Sequence, residues 1–182
     1  MLTELQKLKL TAMFNYYDLD GDGVLEKADY EEFARRTCEA LGFAPGSPEY
    51  DQVYAANVDA WENETLQRFD KDGDGRVSLE EHLEAHEALL SDKELFNQIV
   101  MRDSEGLLGL WDQDGDGKLS SQEYAKALWC YGVEKEAARE AFQHLDRNGS
   151  GYLSIEEILK ALEEFYQSDD PEAPGNWLMG PY

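Results

Sequence analysis

The stretch D-Q-D-G-D-G-K-L-S-S-Q-E at residues 112–123 determines how the rest of the chain is interpreted. Short carboxylates stand at every second residue, and Gly117 follows where the backbone must turn through positive φ. Hard cations such as Ca²⁺ take about 6 to 8 oxygen ligands, which a twelve-residue loop supplies from positions 1, 3, 5, 7, 9 and 12. The predicted ligands are Asp112, Asp114, Asp116, the Lys118 carbonyl, Ser120 and Glu123.

The same pattern occurs at three other places in the chain, each time with glycine at position 6 and an apolar residue at position 8. Position 7 offers its main-chain carbonyl, so its side chain is free to vary. The predicted ligands are Asp18, Asp20, Asp22, Val24, Glu26 and Asp29 in the first loop; Asp70, Asp72, Asp74, Arg76, Ser78 and Glu81 in the second; and Asp146, Asn148, Ser150, Tyr152, Ser154 and Glu157 in the fourth. Such repetition indicates up to four Ca²⁺ sites rather than acidic surface turns.

The first loop differs from the other three at its last ligand. Asp29 is one methylene shorter than the glutamate found at that position elsewhere, so its carboxylate offers both oxygens to a cation less easily. Mg²⁺ prefers single-oxygen ligands and a smaller cage. We therefore expect Mg²⁺ to compete best at the loop from Asp18 to Asp29.

Helices flanking such loops resemble the EF-hand, and they set the predicted fold. Position 8 of an EF-hand lies in a short extended segment that pairs antiparallel with the segment of a second hand. Leu25 should then pair with Val77, and Leu119 with Leu153. The predicted class is all-α, with two pairs of EF-hands packed into one compact globule. The predicted domains are the first pair at 1–90, the second pair at 91–167, and a tail at 168–182.

Apolar residues at helical spacing, together with capping signals, predict the helices. The expected spans are 3–17, 28–41, 48–69, 79–90, 92–111, 121–131, 134–145 and 155–167. The helix at 92–111 carries Leu95, Phe96, Ile99, Val100, Leu107 and Leu108, so the connector between the two pairs should belong to the core. Ser91 and Glu94 are interpreted as the capping box that starts it.

Two histidines share one face of the helix at 79–90. His82 and His86 are four residues apart, a spacing that suits a zinc site. Neighbouring glutamates and the absence of a clear third ligand favour solvated surface histidines instead.

Composition limits the class of protein and its partners. The 182 residues carry a formal charge of −24, which repels nucleic acid and anionic membranes. Cys38 and Cys130 show no disulfide or metal spacing, so we expect buried reduced thiols in a cytoplasmic protein. Metal ions are the expected partners, and the chain is expected to be a monomer. The sequence indicates no target protein.

The chain ends in a proline-rich and aromatic segment, S-D-D-P-E-A-P-G-N-W-L-M-G-P-Y. Trp177, Leu178, Met179 and Tyr182 would be costly to leave in water, so we expect them to insert into a groove of the same molecule. The alternative is a frayed terminus.

These features together resemble the sarcoplasmic calcium-binding proteins and their bacterial relative calerythrin. The marks of the resemblance are the four hands, the long helix before the second loop, the first loop D-L-D-G-D-G-V-L-E-K-A-D ending in Asp29, and the D-x-N-x-S of the last loop. It implies a compact Ca²⁺/Mg²⁺ buffer. That family often has disabled hands, whereas all four keep their ligands here.

Three functions are compatible with the pattern. A buffer needs only well-formed sites, whereas a sensor opens a Met-rich groove to a target, and this chain has only four methionines. A coelenterazine-binding photoprotein would need an aromatic cavity, for which the candidates are Trp61, Trp111, Trp129, Tyr131, His144 and Trp177. No nucleophile–base pair or phosphate loop suggests an enzyme. The sequence favours the buffer.

Overall fold

The computed structural model describes the backbone of residues 1–182 and all side chains except those of Val100, Asp103, Ser104 and Leu107. The predicted contribution of Val100 and Leu107 to the core therefore lies outside the described side chains. Helices joined by two short strand pairs make up the fold, which confirms the predicted all-α class. Among the described residues, no helix is long and apolar enough to cross a membrane.

Each half of the chain contains two helix–loop–helix units, and the helix bounds match the prediction to within a residue. The first half comprises α1 (Glu4–Tyr17), β1 (Val24–Leu25), α2 (Lys27–Leu41), α3 (Pro48–Ala60), α4 (Leu66–Phe69), β2 (Val77–Ser78) and α5 (Leu79–Ser91). The second comprises α6 (Lys93–Trp111), β3 (Leu119–Ser120), α7 (Ser121–Cys130), α8 (Lys135–Leu145), β4 (Tyr152–Leu153) and α9 (Ile155–Gln167).

The loops pair back to back through their strands. Leu25 lies opposite Val77 and Leu119 opposite Leu153, in antiparallel register, as the position-8 pattern predicts. Each of these side chains is at most 2% exposed, because the pairing turns it towards the helices beneath. One strand pair therefore couples the loops within each half.

The long helix before the second loop contains a feature that its sequence does not predict. Residues 48–69 run continuously, but Trp61–Thr65 forms a π-helical turn between α3 and α4. The Leu66 N–H donates to the Trp61 carbonyl across this wider turn. Trp61 itself is buried and packs on Tyr30.

The predicted start of α6 is wrong by one residue. Asp92, not Ser91, caps the helix, and its carboxylate accepts a hydrogen bond from the Leu95 N–H at 3.1 Å. The Ser91 hydroxyl instead donates to the Glu87 carbonyl at the end of α5. Aspartate is the better cap here because its charge also complements the positive end of the helix dipole.

Two clusters of buried apolar side chains form the core, and α1 contributes to both. Its Leu10 and Met13 belong to the larger cluster, which extends through the second half and includes Leu178 of the tail. The smaller cluster lies in the first half and consists of Phe14, Leu25, Trp61 and Val77. Since α1 supplies side chains to both clusters, it links the core of the first half to that of the second.

Further contacts join the halves. Helix α1 packs on α9, and α2 packs on α7. Cys38 on α2 and Cys130 on α7 are buried free thiols, as predicted. The division into domains at residue 90 stays a prediction.

The tail contains a 3₁₀ turn at Pro174–Trp177, and this turn lies against α8 and α9. Leu178 is 7% exposed, and its carbonyl accepts a hydrogen bond from the buried Tyr124 hydroxyl at 2.7 Å. Trp177 stacks on His144 with ring centroids 4.2 Å apart, whereas Tyr182 is exposed. The tail therefore covers apolar surface of the second half.

A buried lysine joins the first helix to the tail. Lys9 on α1 donates to the carbonyls of Glu164 and Ser168 and to Asn176 Oδ1, all within 3.1 Å. The two carbonyls lie at the end of α9, where a cation complements the helix dipole. Burial lowers the pKa of Lys9 to about 8. The sequence analysis did not identify this residue.

Candidate metal centres

The third loop, between α6 and α7, is organised by the carboxylate of its first residue. Asp112 Oδ1 accepts hydrogen bonds from the N–H groups of Gly115 at 2.8 Å and Asp116 at 3.1 Å, and Oδ2 accepts one from Gly117 at 2.8 Å. Gly117 has a φ of 80°, which favours glycine over residues with a Cβ. The bonds fix the turn independently of any cation.

The glutamate at position 12 closes the same loop from its other end. Glu123 Oε1 accepts from the Gln113 N–H at 2.9 Å, and Oε2 accepts from the Ser120 N–H and hydroxyl at 2.8 and 2.7 Å. The same three bonds recur at Glu81 and Glu157. The Ser78 N–H is the main cause that holds the pKa of Glu81 below its ordinary value. A carboxylate held in this way presents two oriented oxygens, as a bidentate Ca²⁺ ligand requires.

Three carboxylates meet in the second loop and three in the third. In each group, one oxygen from every carboxylate lies within 4.8 Å of the others. The groups are Asp70, Asp72 and Glu81 in the second loop, and Asp112, Asp114 and Glu123 in the third. Like charges at this separation repel, and hard oxygens are the donors that Ca²⁺ and Mg²⁺ prefer. The residues present therefore fit a divalent cation.

The first loop assembles a different group. Its three converging carboxylates belong to Asp18, Asp20 and Asp22, and Asp29 is not among them. The Asp29 side chain is 3% exposed and accepts hydrogen bonds from the N–H groups of Leu19 and Glu26, both at 2.9 Å. Burial raises its pKa. The shorter side chain thus makes the bonds of a position-12 residue without joining the cluster.

The fourth loop uses fewer charges. Asp146 Oδ2 accepts from the Gly151 N–H, and Glu157 closes the loop like its counterparts. Asn148 Oδ1 accepts a hydrogen bond from the main-chain N–H of Ser150 at 2.8 Å, so the neutral amide takes part in the bonding of the loop. The Ser150 hydroxyl also lies 3.0 Å from the Tyr152 carbonyl, the predicted ligand at position 7.

The remaining predicted ligands occupy supporting places. Asp74 and Asp116 stand at position 5 of the second and third loops and do not belong to the three-carboxylate groups. Each accepts a hydrogen bond from the main-chain N–H of the residue at position 7, at 2.9 Å. The serines at position 9 cap the exiting helices and donate to the position-12 glutamates; they are Ser78, Ser120 and Ser154. In the first loop, position 9 is Glu26. Its Oε2 forms an ion pair with Nε of Arg76, at position 7 of the paired loop, over 3.7 Å.

The prediction of surface histidines on α5 is wrong. His82 and His86 are each 4% exposed, with ring centroids 4.3 Å apart. Phe14 of α1 and Tyr166 of α9 cover them, and neither helix is adjacent to α5 in sequence. No further histidine, cysteine or carboxylate joins them in a three-ligand group among the described residues, so zinc gains no support.

The six aromatic candidates for a ligand cavity do not gather at one place. Trp61 belongs to the core of the first half, Trp129 is 43% exposed, and His144 stacks on Trp177 beside the tail. A cavity of about 550 Å³ lies between the two halves of the molecule. Of the six candidates, only Trp111 and Tyr131 line it. Other residues of that cavity, including both α5 histidines, were not among the candidates.

Two helix–loop–helix pairs, each joined by a strand pair and each presenting clustered oxygens, define a calcium-binding protein of the EF-hand class. The family model for an EF-hand domain pair matches residues 7–85 and 59–128, and the model for an EF-hand domain matches residues 137–167. The chain belongs to the EF-hand family and is calerythrin-like.

Individual relatives agree with this assignment. Calerythrin of Saccharopolyspora erythraea is 31% identical over 168 residues, which cover 91% of this chain and 94% of calerythrin. A sarcoplasmic calcium-binding protein from amphioxus has a similar fold, with a TM-score of 0.71, 19% identity and full coverage of both chains. The coelenterazine-binding protein of Renilla muelleri is similar in fold, with a TM-score of 0.75, 23% identity and full coverage of both chains.

Proposed function

We propose that the protein is a cytoplasmic, monomeric Ca²⁺/Mg²⁺ buffer that binds up to four ions through the oxygens predicted in its four loops. Converging carboxylates in the first three loops and the glutamate bonds of the fourth support this ligand set. We also propose that it is not an enzyme, because an EF-hand whose ligands are complete leaves little open coordination for chemistry.

The packed tail is the observation that favours a buffer over a sensor. A sensor must open its helix pairs and offer an apolar groove to a target. Here Leu178 and Asn176 are buried on the second half, and Lys9 and Tyr124 hydrogen-bond to them. Opening that pair would break these contacts and expose the tail as well as the groove.

The photoprotein alternative has less support. Its six candidate residues lie in separate parts of the molecule. The relative that binds coelenterazine is 23% identical to this chain, and a shared fold does not by itself imply a shared function. We therefore keep metal buffering as the proposed function.

A calorimetric Ca²⁺ titration, with and without millimolar Mg²⁺ and with a dye that reports apolar surface, tests the proposal. We expect up to four ions, with reduced apparent Ca²⁺ affinity in Mg²⁺, and dye fluorescence that falls as Ca²⁺ binds. Glu81→Gln, Glu123→Gln and Glu157→Gln should each remove about one ion, because that residue supplies two oxygens. Rising dye fluorescence would contradict the buffer and support the sensor.

A further inference from the structure

The residue at position 2 of each metal loop supports the carboxylate at position 12. Its main-chain N–H donates to one oxygen of that carboxylate, over 2.9 to 3.1 Å. The pairs are Leu19 with Asp29, Lys71 with Glu81, Gln113 with Glu123, and Arg147 with Glu157. A glutamate at position 12 of an EF-hand supplies two oxygens to the cation. Whatever holds position 2 in place therefore also holds this ligand.

The side chain at position 2 of the fourth loop reaches further along its exiting helix than its counterparts do. In the second and third loops this side chain pairs with the residue three places after position 12; the pairs are Lys71–Glu84 and Gln113–Lys126. The equivalent residue after the fourth loop is Lys160, whose like charge repels Arg147. The Arg147 guanidinium instead forms an ion pair with Glu164, seven residues after Glu157.

Glu164 is also the residue at which α9 holds the tail. Its Oε2, which pairs with Arg147, accepts a second hydrogen bond from the Gly175 N–H at 2.9 Å. Its main-chain carbonyl accepts a hydrogen bond from Lys9 at 3.1 Å. Lys9 also donates to Asn176, which follows Gly175 in the 3₁₀ turn. One carboxylate oxygen therefore connects the fourth loop directly to the tail.

This ion pair is better shielded from water than the others. The side chains of Arg147 and Glu164 are 26% and 19% exposed. In every other ion pair among the described side chains, at least one partner is 34% exposed or more. Surface ion pairs contribute little, whereas charge-assisted bonds that are shielded from water hold their geometry more strongly. The contact can therefore transmit a change between the loop and the tail.

The tail turn has two arrangements available at this contact, docked and displaced. The backbone at Gly175 lies so close to α9 that an added Cβ would be 2.6 Å from the Ala161 carbonyl oxygen. Asn176 and Leu178, which follow it, are buried. Packed contacts of this kind switch between discrete arrangements and do not deform continuously.

We propose that Arg147 and Glu164 are positioning residues that couple cation binding in the fourth loop to docking of the tail. With the tail docked, Glu164 fixes the Arg147 side chain, and the Arg147 N–H holds Glu157 in the orientation that a cation requires. Coupling between two sites is reciprocal, so a bound cation stabilises the docked tail by the same factor. Loss of the cation then favours release of the tail and exposure of the apolar surface beneath it. The inference rests on the proposed role of the fourth loop as a metal site, and neither side chain is a predicted ligand.

Two glycine amides report the two ends of this connection in an NMR titration of the full-length, isotope-labelled protein in calcium-buffered solutions. The Gly151 N–H bonds to Asp146 in the fourth loop. The Gly175 N–H bonds to Glu164 at the tail contact. We expect both signals of the wild-type protein to change with the same Ca²⁺ midpoint. The Gly75 N–H reports the second loop and serves as the reference.

Arg147→Met removes the ion pair and keeps the main-chain N–H. We expect the Gly151 midpoint to move to about fivefold higher Ca²⁺, the lower end of the usual range for coupled sites, with the Gly75 midpoint unchanged. Loss of a positive charge alone would move the Gly151 midpoint the other way, because the loop would attract a cation more strongly. Arg147→Lys, which can still pair with Glu164, should restore most of the affinity.

Lys71→Met is the matched control for charge. It removes a cation from the same position of the second loop, where the pair with Glu84 is about half exposed. The Gly75 midpoint should stay in place or move to lower Ca²⁺. The Gly151 and Gly175 signals should titrate as in the wild-type protein.

Gly175→Ala tests the connection from the tail. It should raise the Gly151 midpoint about as much as Arg147→Met does, and the double variant should show no further change, because both substitutions break one connection. The proposal is overturned if the two wild-type midpoints differ, if Arg147→Met does not raise the Gly151 midpoint, if the two effects multiply in the double variant, or if Gly175→Ala moves the Gly75 midpoint equally. A Gly151 signal that does not respond to Ca²⁺ in the wild-type protein would also overturn it, and that result alone would contradict the proposed metal site itself.

Discussion

At the scale of the residue, a single methylene distinguishes the first loop from the other three. Glu81 and Glu123 reach the carboxylates at positions 1 and 3 of their loops, whereas Asp29 does not join the cluster of its loop. Its two oxygens accept hydrogen bonds from main-chain N–H groups, as those of the glutamates do, so the difference lies in reach and not in these bonds. This geometry agrees with the argument from side-chain length that assigns weak Ca²⁺ selectivity to this loop.

Asp29→Glu should therefore raise the Ca²⁺ affinity of the first loop by about tenfold, or about 1.4 kcal/mol, with little change for Mg²⁺. The longer carboxylate can offer both oxygens to the larger ion. Competition between Mg²⁺ and Ca²⁺ in a calorimetric titration measures the effect. Glu81→Asp makes the reverse change in the second loop and should reduce its selectivity. Equal selectivity in the wild-type protein and both variants would contradict the argument.

His86 should make the protein sensitive to mild acid. Burial is the main cause that lowers its pKa from 6.5 to about 4, and Arg68 lowers it further. The unfolded chain binds a proton more readily, so the contribution of the neutral ring is complete above about pH 6.5 and is lost as the pH falls towards about 4. At pH 5 this loss amounts to about 2 kcal/mol of unfolding free energy.

Urea unfolding at pH 7 and pH 5, in excess Ca²⁺, measures that loss. His86→Phe should lose less unfolding free energy between the two pH values than the wild-type protein, because only one buried imidazole, that of His82, then remains on this helix to protonate. His144→Phe is the matched control, since it keeps an aromatic ring against Trp177 and replaces an exposed histidine. Equal losses in both variants would show that His86 is not the cause.

Local patterns predicted which carboxylates converge better than they predicted burial. The loop spacing identified the clustered carboxylates because all of those residues lie within twelve positions of one another. The burial of His82 depends on Phe14, and the role of Lys9 depends on Asn176. These partners come from distant segments, so periodicity within α5 or α1 carried no signal for them.

At the scale of the element, the tail is held by close backbone approach. A Cβ added at Gly175 would lie 2.5 Å from Glu164 Cβ and 2.6 Å from the Ala161 carbonyl oxygen. The Gly175 N–H also donates to Glu164 at 2.9 Å. The 3₁₀ turn can therefore sit on α9 only because this residue has no side chain.

Gly175→Ala should lift this turn from α9 and lower the unfolding free energy by about 1–3 kcal/mol, the usual cost of overpacking. Fluorescence of an apolar dye in Ca²⁺ should rise as the tail leaves its groove. Gly109→Ala provides the control, because a Cβ there meets nothing within 4 Å. A Gly175→Ala variant with wild-type stability and dye response would show that the tail does not cover the groove in solution.

Elements were predicted well where their signals are local. Helix bounds followed capping and periodicity, and the strand register followed from the apolar residue at position 8 of each loop. The π-helical turn at Trp61–Thr65 carries no such signal, because its residues suit an ordinary helix equally well. Packing of Trp61 against Tyr30 accompanies the turn and depends on the tertiary fold.

At the scale of the whole molecule, the charge of −24 opposes folding until cations bind. Much of that charge lies in the loops, where carboxylates converge within 4.8 Å. Ions that bind only the folded chain stabilise it by mass action, by about 2.7 kcal/mol per site at a hundredfold excess over the dissociation constant. Folding and metal binding should therefore be strongly coupled.

Calorimetric melting in EDTA and in excess Ca²⁺ measures this coupling, and we expect a Tm higher by roughly 20 °C or more in Ca²⁺. Raising KCl should increase the Tm in EDTA more than in Ca²⁺, because salt screens only the repulsion that bound cations have not already cancelled. Sucrose, which stabilises without screening charge, is the control and should raise both Tm values similarly. A Tm that is the same in EDTA and Ca²⁺ would contradict the coupling, whereas a Ca²⁺ effect without the KCl difference would assign the stabilisation to ligand bonds rather than to relief of carboxylate repulsion.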